Sequence, residues 1–229
     1  MRALRILITA DPYIPVPPAL YGGIERIIAM LADGLIARGH AVTLVAHPDS
    51  VVSGATLVPY GCAPHTRPAD RVRELLQLNR AAFAAAGQVD IIHSFGRLAG
   101  LLSVLPKRRL AKLQSYQREV DWAGIARAVR LGGDSIAFTG CSASVYRDRP
   151  AGMALGAWHT IFNGVDVARY TPVVHVDQAA PVVFLGRLEP EKGAHVAIAA
   201  ARQAGVPLII AGNRPDAHAD YFEREVAPH

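Results

Sequence analysis

The sequence predicts an α/β fold built around a parallel sheet. Three observations carry that expectation. Short apolar runs such as Leu4 to Ala10 and Val182 to Leu185 recur along the whole chain. They are continuous rather than alternating, as strands buried on both faces are. Segments of helical periodicity separate them, and a strand–helix–strand order needs crossover helices and parallel neighbours.

Taken in order, Leu4 to Ala10 reads as the first strand. After a Pro-rich loop, Ile24, Ile27, Ile28, Leu31 and Leu35 place one apolar stripe on a helix, which Arg38-Gly39-His40 ends with a basic residue and a C-terminal glycine. Ala41 to Ala46 and Thr56 to Tyr60 are strands. Asp70 to Ala86 is a helix with Val72, Leu75, Leu76, Phe83 and Ala86 on its packed side, closed by Gly87. Val89 to His93 is a strand, Leu98 to Leu105 a short helix, and Leu110 to Ser115 and Ser135 to Phe138 are further strands, with Ser142 expected to cap a following helical turn. Trp158 to Phe162 is the last strand of this part, before a turn at Asn163-Gly164-Val165-Asp166. Thr171 to Ala180 reads as a linker, after which Val182 to Leu185, a helix from Pro190 to Gln203, Pro207 to Ala211 and a helix to about Val226 restart the alternation. The expected organisation is therefore a first domain over 1–170, a linker over 171–180 and an incomplete second domain over 181–229.

Composition narrows the class. With 51% apolar and 19% charged residues the chain is globular, and no apolar run reaches the roughly 18 residues that span a bilayer. The apolar run at the N-terminus halts at Asp11-Pro12, too early for a signal peptide, so a cytoplasmic location is expected. Cys62 and Cys141 form no C-x-x-C pair and are read as small buried hydrophobes, and the nine histidines lack the spacing that puts two imidazoles on one helical face, so no metal site is expected. The net charge of +5 rests on 21 arginines and three lysines, with one compact run at Lys107-Arg108-Arg109. That balance suits anionic small ligands or contact with an acidic lipid surface. Without an aromatic-interleaved basic stripe it does not indicate nucleic acid.

In parallel sheets ligands gather beyond the carboxyl ends of the strands, which directs attention to residues after Ala10, His93, Phe162, Leu185 and Ala211. Two stretches there have anion-binding chemistry. Gly22 and Gly23 let a backbone approach a ligand at a helix start whose amides and dipole favour a phosphate or carboxylate; the alternative is a flexible end to a Pro-rich loop. In the stretch FLGRLEPEKG, Gly186 permits a turn, Arg187 offers a fork of donors matched to phosphate oxygens, and Lys192 stands on the first helical turn. There the alternative is an ordinary charged helix N-terminus, which Glu189 and Glu191 would favour. The same stretch is not a P-loop, because Glu191 stands where the second glycine belongs. No G-x-G-x-x-G follows the first strand, and Gly140-Cys141-Ser142-Ala143-Ser144 lacks the closing glycine of a hydrolase elbow.

Four segments, YGGIERIIAMLADGLIARGHAVTLVA, VDIIHS, NGVDVARYTP and FLGRLEPEKG, resemble in order and spacing family 4 of the retaining GT-B glycosyltransferases. The resemblance implies two Rossmann-like domains, of which this chain holds the first and the opening part of the second. It implies a nucleotide-sugar donor, UDP-, GDP- or another, and no metal or other cofactor. Gly22 and Gly23 would meet the donor from the first domain, and Arg187 and Lys192 would clamp its diphosphate. His93 would lie near the sugar or acceptor, or else be a structural histidine at a strand end. Where the family has a histidine after the fifth strand, Tyr116 and Gln117 stand, and Gln117 is the counterpart for a sugar hydroxyl. The family's glutamate pair, eight positions apart, has no match among the seven glutamates. The activity implied is retaining transfer to an acceptor sugar, lipid or natural-product glycoside, weak or absent in this chain, which lacks the family's later part. The alternatives are a degenerate, non-catalytic binding or interaction module, with homo-oligomerisation through an exposed sheet edge, and a nucleotide-sugar epimerase on the same scaffold.

Overall fold

The computed structural model describes residues 2–61, 68–117 and 119–229. It forms two compact units, Met1–Val167 and Ala168–His229.

In the first unit seven strands make one sheet. They are β1 (Arg5–Thr9), β2 (Ala41–Ala46), β3 (Thr56–Pro59), β4 (Ile91–Ser94), β5 (Ala111–Tyr116), β6 (Ile136–Gly140) and β7 (Ala157–Thr160). Their order is β3-β2-β1-β4-β5-β6-β7, and every neighbouring pair is parallel. The chain moves outward from β1 to one side through β2 and β3, then returns to β4 on the other. The loops after β1 and β4 therefore diverge, which opens a crevice at their carboxyl ends.

Helix α1 (Gly23–Ala37) covers one face, burying Ile28, Ala29 and Ala32 against Ile8, Val42 and Leu44. On the other face lie α2 (Pro68–Ala85), a 3-10 turn over Leu98–Leu101, and α3 (Trp122–Gly132), with a core that includes Leu7, Ile92, Leu101, Ile125, Ile136 and Phe138. Trp158 stacks on Phe138 and Tyr116 and tilts against Trp122 and Tyr146, so one indole seals the β5–β6–β7 end of this layer.

Several local expectations change. The packed side of α2 is Glu74, Leu78 and Ala82, whereas Val72, Leu76 and Phe83 are more than half exposed. The cause is close docking rather than apolar count: a Cβ on Gly100 would fall 2.3 Å from Leu78 Cδ2. Asn79 locks the same face, donating to the carbonyls of Leu75 and Ala99 and accepting from the Ser103 amide. Helix α3 was not expected at all. Ser142 does not cap the turn at Ala143–Tyr146 with its side chain; its carbonyl accepts from Val145 instead, and its hydroxyl pairs with Ser144. Cys141 is only partly buried, and Cys62 lies outside the described residues.

The second unit holds β8 (Val182–Leu185) and β9 (Leu208–Ala211), a parallel pair, with α4 (Ala194–Ala204) and α5 (Ala219–Glu225). Its core is Leu188, Ala194, Ile198, Tyr221 and Val226. The helix expected from Pro190 is divided: Pro190–Lys192 is a 3-10 turn, and Gly193 at φ 75° re-aims the chain before α4 begins.

Candidate functional site

The sequence places chemistry after the strand ends, and the first unit gathers several groups there. Gly22 adopts φ 152°, a conformation that disfavours a side chain, and a Cβ on it would lie 2.7 Å from Pro18 Cβ and 2.9 Å from a Glu25 carboxylate oxygen. The cap residue Gly22 has no side chain to offer α1, and among the described residues nothing beyond the chain neighbours and the helix's own backbone stands within 4 Å of where a Gly23 Cβ would be. The first glycine is thus required by the fold. The second leaves an open approach to the helix N-terminus.

At the end of β4, His93 is held rather than poised. Its Nε2 pairs with the Ser115 hydroxyl at 2.8 Å, which in turn pairs with Thr139 Oγ1 at 2.7 Å, and its ring stacks on Phe95 at 4.4 Å. Burial lowers its pKa to about 4, so the ring is neutral at neutral pH. On the opposite face of the same strand ends, Thr9, Ser94 and Gln114 sit side by side in register. All three are buried, and Gln114 Nε2 fixes the loop after β4 by donating to the Gly96 carbonyl at 2.8 Å.

Gln117, just past β5, exchanges two hydrogen bonds with Asn163. Its Nε2 donates to Asn163 Oδ1 at 3.0 Å, and Asn163 Nδ2 donates back to its Oε1 at 2.8 Å. Two residues 46 positions apart in sequence are thereby joined. Burial raises the neighbouring Tyr116 phenol above its usual range, so it stays protonated.

Two cavities open at these strand ends. One of about 200 Å³ is lined by Asp11, Tyr13, Tyr60, Arg71, Glu74 and Arg97. There the Tyr13 hydroxyl donates to the buried Glu74 carboxylate at 3.4 Å, and Tyr60 OH donates to the Ala10 carbonyl. The other, about 590 Å³, lies between the Phe95–Leu105 segment and α3, with Ser115, Tyr116 and Gln117 along its strand-end side. The expected elements did not anticipate this cavity, because α3, which supplies Gly124, Arg127, Ala128 and Leu131 to its lining, was missing from them.

In the second unit the expected cation pair is arranged differently from a simple helix start. Arg187 reaches the Glu189 carboxylate at 2.6 Å, and Glu189 is buried, with His218 Nε2 at 3.9 Å from its other oxygen. Glu189 thus holds Arg187 instead of serving the helix N-terminus. Lys192 ends the 3-10 turn and is exposed, its side chain directed by that turn rather than by a regular first helical turn. Backbone pairing of β8 and β9 runs on past both strands, with Gly186 N to Ala211 O at 3.0 Å and Leu188 N to Asn213 O at 2.9 Å, so the turn bearing Arg187 is rigidly tied.

A parallel seven-stranded Rossmann-like unit with a strand-end crevice, followed by a second βαβ unit that opens on GRLEPEKG, has the fold of the GT-B glycosyltransferases. Residues 21–116 match the family model described as Glycosyltransferase Family 4. The chain is 26% identical over 257 aligned positions to the glycogen synthase of Mycobacterium tuberculosis, covering 91% of this chain and 61% of that protein. It is 27% identical to AviGT4, a glycosyltransferase involved in avilamycin A biosynthesis, at TM-score 0.64 over 97% of this chain and 61% of that one. The Anabaena protein HepE, solved with UDP and glucose, shares the fold at 14% identity and TM-score 0.57, over 96% of this chain and 64% of that one. The chain thus spans about three-fifths of the length of these relatives.

Proposed function

We propose that this chain serves glycosyl transfer from a nucleotide-diphosphate sugar to an acceptor hydroxyl, with retention at the anomeric carbon and no metal. The observation that carries the reading is the space beside Gly23 on the first turn of α1, within the segment that matches the family 4 model. Amides at a helix start stabilise phosphate oxygens. Arg187 and Lys192 supply the cations in the second unit. As the bond from the anomeric carbon to the diphosphate breaks, negative charge grows on the departing oxygen, and fixed cations stabilise it. The new bond forms from the acceptor oxygen, whose proton leaves to the departing diphosphate. His93, neutral and bonded to Ser115, shapes the strand end rather than taking that proton. A donor of this kind also agrees with HepE having been solved with UDP and glucose.

Titrating UDP and GDP against the 229-residue chain tests the reading. Arg187→Ala and Lys192→Ala should each weaken binding by about tenfold, the scale of one charge-assisted phosphate contact, with circular dichroism unchanged. Parent-like affinity in both variants would sink it. Turnover is expected to be slight, since the family's glutamate pair has no match here. Product formed with inverted configuration would overturn retention, and an epimer formed from donor alone would indicate the epimerase reading.

One observation favours a binding or interaction module instead. Val183, Leu185 and Ile209 on β8 and β9 are 59%, 83% and 51% exposed, an uncovered apolar face.

A further inference from the structure

We infer that the first unit binds an amphiphilic alcohol, a molecule with an apolar body and a hydroxyl-bearing head, in the cavity between the Phe95–Leu105 segment and α3. Its role as the transfer acceptor rests on the reading above; the binding itself does not.

The cavity, about 590 Å³, falls within the roughly 300–1,000 Å³ of small-molecule sites. Its walls are apolar. Leu98, Leu102 and Leu105 come from the segment after β4, and Ala128 and Leu131 face them from α3. Leu102 and Leu131 are 51% and 43% exposed. Single exposed leucines are ordinary, but two that line one hollow leave apolar surface that a ligand would remove from water.

The rest of the lining has the opposite chemistry. Arg97, Arg127 and Glu119 belong to it, and their side chains form no hydrogen bond or ion pair among the described residues. Asp121 adds a second carboxylate, with one oxygen already accepting from the Gly124 amide at 3.0 Å. Two guanidiniums against two carboxylates select neither an anion nor a cation. They suit hydroxyls, which accept from the first and donate to the second. A head seated against these groups would lie at the carboxyl end of β5, beside Tyr116 and the Gln117–Asn163 pair, where the transfer reading needs a reactive hydroxyl.

The test is a titration of the 229-residue chain, followed by saturation-transfer NMR, with octyl β-glucoside below its micelle concentration, methyl β-glucoside and 1-octanol. Octyl glucoside should bind at least about tenfold more tightly than methyl glucoside, through burial of part of its chain, and more tightly than octanol, which lacks the head. Leu102→Glu and Leu131→Glu, at half-exposed positions, should weaken octyl glucoside by about fivefold or more, with melting temperature preserved. Phe83→Glu, which alters an exposed aromatic on α2, should leave it unchanged. The inference fails if octyl and methyl glucosides bind alike, if octanol matches octyl glucoside, if both leucine variants titrate like the parent, or if Phe83→Glu abolishes binding. UDP failing to bind while octyl glucoside still binds would count against the transfer reading alone; the converse would count against this site alone.

Discussion

Adjacent glycines can serve unrelated ends, and positions 22 and 23 separate them. Gly22 is demanded by its φ and by Pro18, so Gly22→Ala should cost about 1–3 kcal/mol of stability in a denaturant titration. Gly23 is helical with open space around it, so Gly23→Ala should leave stability unchanged or slightly raised, by up to about 1 kcal/mol. If the α1 N-terminus meets a donor phosphate, that same variant loses UDP affinity without losing fold. His93 gives a second residue-scale expectation. Its folded pKa, about 4, lies below the ordinary histidine value near 6.5. The unfolded chain therefore binds the proton more readily, so stability is full above about pH 6.5 and falls toward pH 4, by at most roughly 3 kcal/mol. Urea titrations across that window should show the slope in the parent and a flatter profile in His93→Asn. The histidine was visible in VDIIH; that it stacks on Phe95 and leans on Ser115 was not, because Ser115 belongs to a strand 22 positions on.

Elements were legible where their apolar stripe alone decided the packing. Helix α1 shows its i, i+3, i+4 pattern, and that stripe packs on the core with Ile28 buried and Ile24, Ile27, Leu31 and Leu35 partly so, while the small Ala29 and Ala32 beside it are buried as well. Helix α2 misled because its largest apolar residues face outward while Leu78 and Ala82 pack into the core, with Gly100 of the 3-10 turn admitting Leu78. Phe83 instead lies under Lys107, whose Nζ is 4.4 Å from the ring centre. Helix α3 carried a readable signal in Asp121 at the cap followed by Ile125, Ala128 and Gly132. Its small inward residues made it quieter than its neighbours. Asp121→Ala should cost about 1 kcal/mol through loss of the bond to the Gly124 amide, measurable by thermal denaturation. Gly212, unremarked in the sequence, is the tightest point of the second unit: a Cβ there would fall 1.7 Å from the Gly186 carbonyl oxygen. Gly212→Ala should therefore disorder the β8–β9 end, and hydrogen exchange should rise over residues 168–229 while the first unit keeps its protection.

At the scale of the whole chain the two units differ in what they bury. The first has a seven-stranded sheet with helices on both faces, the second a two-stranded sheet with five buried core residues. Parallel strands are ordinarily covered on both sides, yet Val183, Leu185 and Ile209 are exposed. The second unit should accordingly melt at lower denaturant than the first. The native chain should also bind a hydrophobic dye, and Val183→Glu with Ile209→Glu should remove much of that signal. A single cooperative transition without dye binding would contradict both expectations.

The amino-acid order alone determined the class of fold, because strand and helix periodicities are local and survive in any one-dimensional reading. It also marked Gly22, Gly23, Arg187 and Lys192, because their chemistry is a property of residue type and spacing. Tertiary structure decided what each does in place. Glu189 is drawn from a helix start onto Arg187, Gln117 is tied to Asn163 some 46 positions away, and a cavity forms where α3 meets the loop after β4. Those outcomes depend on contacts between segments distant in sequence, whose approach is set by packed volume and close backbone contact rather than by any pattern within a single element.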